Sequence, residues 1–272
     1  NLPMRRLLFL LALILAPLSS RAQCEMENTA FKSGEVLIYD LYFNWKFIWV
    51  KVGSATMTTI KSIYNGQDCF RSSLLTRGNK TADKLFVMRD TLMSIVTPQL
   101  APIYYRKGAL EGGQYRVDEV WYSYPDGKCS LRQRYRNPHG EISTAKYVSA
   151  TDCVQDMMSM FLRARSFDPS SWRKGQRIHF KMADGSEVKD KVLVYRGREK
   201  FTMRNTGVVY RCLVLSFVEN EDGKERDIVT FYVTDDANHM PVRLDLNLNF
   251  GSAKAFVSAQ TGLRHPLTSI VK

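Results

Sequence analysis

Residues 234–241 read TDDANHMP and set two carboxylates, Asp235 and Asp236, beside an imidazole, His239. A hydrolytic centre uses a carboxylate and an imidazole at such distances to move protons. The same letters also spell an inter-strand turn, which wants Asp, Asn and a following Pro. Arg106-Lys107, with Glu111-Gly112-Gly113 shortly after, offers two cations and a flexible turn that could hold an anion; the plainer alternative is a charged hairpin end. A third candidate is aromatic. In GEVLIYDLYFNWKFIWVKVGSATM, residues 34–57, the rings of Tyr39, Phe43, Trp45, Phe47 and Trp49 fall on alternate positions. Each such ring buries roughly 150–250 Å², so the stripe is either core or the lining of a site for an acyl chain or sugar. Polar groups that would orient a ligand occur nearby only as Asp40, Asn44 and Lys46, on the other parity.

Other chemistries have no spacing to support them. The four histidines, His139, His179, His239 and His265, are scattered, and no pair has metal-ligand spacing. No GxSxG, Walker loop or GxGxxG occurs, and the 27 acidic residues do not single out a glycosidase pair. No catalytic residue, metal or cofactor is assigned. The five cysteines, Cys24, Cys69, Cys129, Cys153 and Cys212, show no CxxC spacing. Cys129, Cys153 and Cys212 fall on apolar faces and read as small buried hydrophobes; the odd count leaves at least one without an intrachain partner.

The elements that must position these groups are strands. Past Ser33 the pattern is period-two alternation broken by turn chemistry. Val242, Leu244, Leu246, Leu248 and Phe250 alternate with Arg243, Asp245, Asn247 and Asn249 in a half-buried strand. Asp126-Gly127 suits a two-residue turn and sets Tyr122 opposite Leu131, Trp121 opposite Arg132 and Glu119 opposite Arg134. Asp222-Gly223 likewise sets Glu219 opposite Arg226 and Val214 opposite Phe231, in a central hairpin. At Asp184-Gly185 a three-residue loop ending at Ser186 gives the better pairing, Met182 with Val188. An unbroken strand over residues 35–49 would run about 50 Å at ~3.3 Å per residue, so a bend or bulge is expected between Asn44 and Trp49. Gly53 is expected to allow close backbone approach.

One segment differs. From Asp152 to Arg165 the residues Val154, Met157, Met158, Phe161 and Leu162 have helical spacing, with a start like a capping box at Asp152 and Gln155 and Pro169 beyond the end. A shorter helical turn is expected around Thr81 to Phe86. The long helix divides the β-rich chain into residues 31–150 and 170–272, as one antiparallel meander or as two sub-domains.

Arg5 and Arg6, an apolar run from Leu7 to Ala16 and small residues up to Ala22 have the order of a secretory signal peptide, giving a leader over 1–22 and an exported, β-rich domain over 23–272. Gln23 before Cys24 does not fit a lipobox, so acylation of Cys24 is not expected. The net charge of +12 favours acidic partners such as anionic glycans or lipid headgroups, and export disfavours nucleic acid.

The GE, aromatic strand and VKVGSATM pattern resembles the start of exported bacterial proteins grouped as domain of unknown function 3108. MRDTLMS with LAPIYYRKGALEG, DCVQDMMSMFLRAR and FYVTDDANHMPVRLDLNLNFGSAKAFVSA agree with it. The likeness spans nearly the whole expected mature chain and is greatest to members from Bacteroides-type bacteria. It implies a YmcC-like fold, a mainly β architecture in which a large curved antiparallel sheet closes toward a barrel, with the helix packed on it. That fold is named for lipoproteins linked to capsule export, and the family has no activity to transfer. The expected function is therefore a non-enzymatic envelope protein in the periplasm or facing it, which binds an amphipathic or anionic lipid or glycan through Tyr39, Phe43, Trp45, Trp49, Arg106 and Lys107. The alternatives are a structural module of an envelope assembly and a hydrolase built on Asp235, Asp236 and His239.

Overall fold

The computed structural model describes residues 24–45, 48–80, 82–84, 87–203, 206–221, 223–248 and 251–271; the expected leader lies outside them. The chain forms β1 (Glu35–Trp45), β2 (Ile48–Tyr64), β3 (Gln67–Gly78), β4 (Met88–Val96), β5 (Pro102–Glu111), β6 (Gln114–Ser123), β7 (Cys129–Arg136), β8 (Ile142–Ser149) and β9 (Val154–Gln155). Helix α1 (Met157–Ala164) follows, then β10 (Arg177–Asp184), β11 (Glu187–Thr202), β12 (Val209–Glu221), β13 (Lys224–Thr234), β14 (Pro241–Leu248), β15 (Gly251–Thr261) and β16 (Ile270–Val271). A 3₁₀ turn covers Ala82–Lys84, inside the segment expected to turn helically.

All sixteen strands join one sheet, in the order β8-β7-β6-β5-β4-β3-β2-β1-β15-β14-β13-β12-β11-β10-β9, with β16 beside β12. Each half of the chain is an antiparallel meander, and the β1–β15 ladder fuses the two. The chain passes from the edge strand β8 to the opposite edge strand β9 through residues 150–153, and α1 then joins β9 to its neighbour β10. The two ends also meet: Gln133 Nε2 on β7 donates to the carbonyls of Gly185 (3.0 Å) and Glu187 (2.8 Å) at the β10/β11 turn. The sheet is thus mainly antiparallel and curled toward a barrel without a closing ladder. Bulges near Tyr39, Tyr42, Val96, Gly197, Val218 and Val233 supply local bends.

The inner face carries the core. Leu37, Tyr39, Met57, Leu92, Tyr105, Val120, Leu131, Val242 and Val257 form one cluster with Met158 and Leu162 of α1. The helix starts later than its spacing predicts. Val154 and Gln155 are held extended by parallel pairing with Lys181 and Met182, and the N-cap is the buried Asp156, in a reciprocal capping box with Ser159. Met157, expected on the apolar face, is exposed at the first turn.

The Asp126-Gly127 hairpin has the expected register, with Tyr122 opposite Leu131 and Glu119 opposite Arg134; both turn residues take positive φ, as a type I′ turn requires. Two other registers differ. In β12/β13, Glu219 meets Arg226 as expected, but a bulge between Phe217 and Val218 moves Val214 opposite Tyr232. In β10/β11 the turn is Gly185-Ser186, so Asp184 meets Glu187 and Met182 meets Lys189. This puts Lys191 beside Glu219 and along the Phe217 ring, so its long stem packs while its ammonium stays paired. Gly53 makes the expected close approach: a Cβ there would stand 2.2 Å from the Arg77 carbonyl oxygen.

The expected bend after Asn44 is instead a reversal. β1 ends at Trp45 and β2 begins at Ile48, with Trp45 opposite Ile48 and Asn44 opposite Trp49. Cys153, read as a buried hydrophobe, is bonded to Cys24 across a separation of 129 residues. Cys69, Cys129 and Cys212 are buried free thiols, and burial pushes the Cys212 thiol up to about 12.

Candidate functional site

The two carboxylates and the imidazole of TDDANHMP are held by separate partners. Asp235 takes the Arg198 guanidinium at 3.1 Å. Asp236 accepts from Thr234 Oγ1 (2.9 Å), Asn238 N (3.0 Å) and Ser269 N (3.2 Å), so it caps its own turn and ties down the C-terminal segment. The His239 ring meets the Arg165 carbonyl oxygen at 2.5 Å. These are the bonds of a turn built into the core, in which each of the three side chains is engaged by a different partner.

The aromatic stripe is split by the reversal after Trp45. Tyr39 is buried, and its hydroxyl donates to the Pro241 carbonyl at 3.0 Å, so this ring is core. Phe43 is half-buried against Gly251, where a Cβ would stand 2.7 Å from its Cζ. The Trp45 side chain lies outside the described residues. Trp49 shares a face with Asn44, opposite that of Phe43, and lies 36% exposed beneath Lys254 Nζ at 4.7 Å. The stripe is therefore not one continuous lining.

Arg106 and Lys107 are also separated, because neighbours on a strand face opposite ways. Lys107 points inward, across the ladder from Asp118. Burial raises Asp118, and it raises Asp90 to about 6 with help from Glu111; Lys107 opposes both shifts. Glu111 leads into the positive-φ pair Gly112-Gly113 and pairs with Arg116 at 2.9 Å, a charged hairpin end.

Arg106 points outward, into a constellation that the sequence shows only in part. On β7, Arg132, Arg134 and Arg136 alternate with the inward Leu131, Gln133 and Tyr135, so three guanidiniums share the outer face. Opposite them stand Trp121, Glu119 and Val117 of β6, and next in the sheet Tyr104 and Arg106 of β5. Arg132 lies over the Trp121 ring at 4.4 Å and Arg134 at 5.7 Å. Trp121 contacts Tyr104 at 5.6 Å, and Tyr104 stacks on Tyr64 at 6.0 Å and 10°. Arg136 lies over Tyr115 at 5.6 Å, and Arg106 donates to the Tyr115 hydroxyl at 3.2 Å.

Glu119 is the buried anchor of this face. Tyr104 Oη donates to it at 2.7 Å and Arg134 Nε at 2.9 Å. Burial works to raise the Glu119 carboxyl, but those bonds outweigh it and hold it below the usual range. The Tyr104 hydroxyl is pushed up, by desolvation first and then by the Glu119 carboxylate. Among the described residues no carboxylate pairs with Arg106, Arg132 or Arg136, and Lys146 adds a further cation opposite Arg132. A cavity of about 210 Å³ opens here, lined by Arg106, Val117, Glu119, Arg134, Arg136 and Ile142. A broader hollow of about 570 Å³ elsewhere mixes Glu25, Glu27 and Asp68 with Lys61 and Arg264, and so has no single charge preference. No group of metal-ligating side chains occurs among the described residues, and no described helix is long and apolar enough to cross a membrane.

The fold has a solved counterpart. A β-barrel-like protein of domain of unknown function DUF1849 from Brucella abortus superposes with a TM-score of 0.53 at 12% identity, covering 85% of this chain and 98% of its own. At that identity the likeness concerns the fold alone. No curated protein matches the sequence. The model of the family described as a protein of unknown function, DUF3108, matches residues 38–258, and the chain belongs to that family.

Proposed function

We propose that the protein is an exported, non-enzymatic binding protein of the bacterial cell envelope that holds an anionic glycan on the outer face of β5, β6 and β7. The observation that carries this reading is the row of guanidiniums Arg106, Arg132 and Arg136, which pair with no carboxylate among the described residues, beside the stacked rings of Tyr64 and Tyr104, with Trp121 under Arg132 and Tyr115 under Arg136. Guanidinium forks suit carboxylates, sulfates and phosphates in a bidentate way, and flat rings suit the apolar faces of sugars. Export rests on the leader-like residues 1–22 and is supported by the Cys24–Cys153 bond, which belongs to an oxidising compartment. That bond also occupies the sulfur that acylation would need. The YmcC-like, Bacteroides-type affinity and a periplasmic location belong to the same reading.

The test is titration calorimetry at low and high salt with a carboxylated polysaccharide and with neutral dextran. Binding to the acidic polymer alone, weakened by salt and reduced at least tenfold in Arg132→Glu/Arg136→Glu, is expected. Equal binding of the two polymers, or an unaffected variant, refutes the proposal. A module in an envelope assembly is the second reading, favoured by Ile142 and Val148, 60% and 61% exposed on the edge strand β8; such an edge can accept a partner strand.

A further inference from the structure

We infer that the start of β2, Ile48–Val50, is a membrane-docking element that seats on the headgroup layer of an anionic phospholipid bilayer. Three consecutive large apolar residues open β2 in water: Ile48 is 67% exposed, Trp49 36% and Val50 43%. Single exposed apolar side chains are ordinary. Three in a row are not, because successive residues on a strand point to opposite faces, so both sides of this strand end are apolar. A flat protein partner would cover one face only, whereas a lipid headgroup layer surrounds an end and can cover both.

The polar surroundings have the composition of an interface anchor. Lys254 Nζ lies 4.7 Å from the Trp49 ring centroid and 3.8 Å from Asp245, which Arg243 also pairs, and Lys51, paired with Asp40 at 2.8 Å, follows directly in β2. Asn79 binds this end of β2 through two bonds of 2.7 Å, N to the Val52 carbonyl and Nδ2 to the Lys51 carbonyl, which brings the exposed Lys80 alongside. Tryptophan is enriched at the membrane–water boundary, where its ring sits at headgroup level. Lysines beside it reach anionic headgroups with the charge still wet. Arg243 and Lys254 share one carboxylate, Asp245, and Lys80 pairs with none among the described residues, so the patch keeps a surplus of positive charge that favours an anionic bilayer over a neutral one. This strand end lies on β2, several strands from the arginine face on β5, β6 and β7, so the two sites can be tested apart.

The experiment is flotation of the full exported chain with unilamellar vesicles of phosphatidylcholine, with and without phosphatidylglycerol. Recovery with the phosphatidylglycerol vesicles is expected to fall at least tenfold in Ile48→Ser/Trp49→Ser. It should fall severalfold in Lys80→Gln/Lys254→Gln, and stay within twofold in Arg132→Glu/Arg136→Glu. Unchanged melting curves exclude misfolding, because the substituted residues of the first variant are exposed. Absence of binding to anionic vesicles, or equal binding by the Ile48/Trp49 variant, overturns the inference. So does a concentration-dependent dimer in sedimentation that this variant abolishes, since the end would then be covered by a second copy.

Discussion

Replacing Glu35 by Gln should destabilise the protein far more than a single side-chain change on a sheet of this size usually does. Arg165 follows α1 and donates to Glu35 through Nη1 at 2.5 Å and Nη2 at 2.9 Å; both side chains are almost fully buried, at 2% and 1% exposure. Its Nε and Nη2 also reach the Asn238 carbonyl at 3.2 and 3.1 Å, and the guanidinium lies 5.5 Å from the Phe31 ring. One cation thus joins β1, the end of α1, the N-terminal segment and the 234–241 turn. A buried ion pair adds little over an apolar pair of the same shape, but breaking it from one side strands a charge and costs about 3–5 kcal/mol. For a domain of this size each 1 kcal/mol lowers the melting midpoint by roughly 2–4 °C, so a fall of roughly 6–20 °C is expected. Arg165→Met should cost a similar amount, because the Glu35 carboxylate then loses its partner. The double variant Glu35→Gln/Arg165→Met buries no charge and should lose at least about 2 kcal/mol less than the sum of the two single losses, the signature of direct coupling. Urea unfolding monitored by both fluorescence and circular dichroism measures all three. Additive single losses, or a Glu35→Gln cost under about 1 kcal/mol, would refute the assignment of this pair as the joint.

The Cys24–Cys153 bond should add about 2–5 kcal/mol by constraining the unfolded chain, so Cys24→Ser/Cys153→Ser should melt several degrees lower; thiol titration of the denatured, unreduced protein should find the three thiols of Cys69, Cys129 and Cys212. Burial raises Asp156 from 3.8 to about 6, so between those values the folded state binds a proton that the unfolded state has released. Stability from this group therefore rises as pH falls from 7 toward 4, by up to about 3 kcal/mol, and Asp156→Asn, which keeps the cap, should flatten the difference between melting midpoints at pH 8 and pH 5.

Much of this architecture can be read from alternation and turns because each hairpin is local. Asp126-Gly127 fixes a register through positive φ at both positions, and nothing distant disturbs it. The reversal between β1 and β2 escapes the same reading because Lys46-Phe47 contains none of the residues that announce a turn, and apolar parity runs on through it. The Phe217/Val218 bulge leaves no local mark either, since both faces of β12 are apolar there. Contacts made at long range, Glu35 with Arg165 and Cys24 with Cys153, depend on how α1 and the residues flanking it pack against the rest of the core.

The candidate site divides in the same way. Trp121 over Arg132 and Glu119 with Arg134 follow from one hairpin register, and the alternate arginines of LRQRYR are plain in the sequence. Tyr64, from the end of β2, joins Tyr104 only through the curl of the sheet. Alternation establishes that a strand has two faces; it does not decide which one meets water. Here α1 and the β10/β11 turn make that choice by covering Val120, Leu131 and Gln133. Because they lie on that side, the face bearing Arg106, Arg132 and Arg136 is left outside, where cations that pair with no carboxylate among the described residues stay hydrated at little cost.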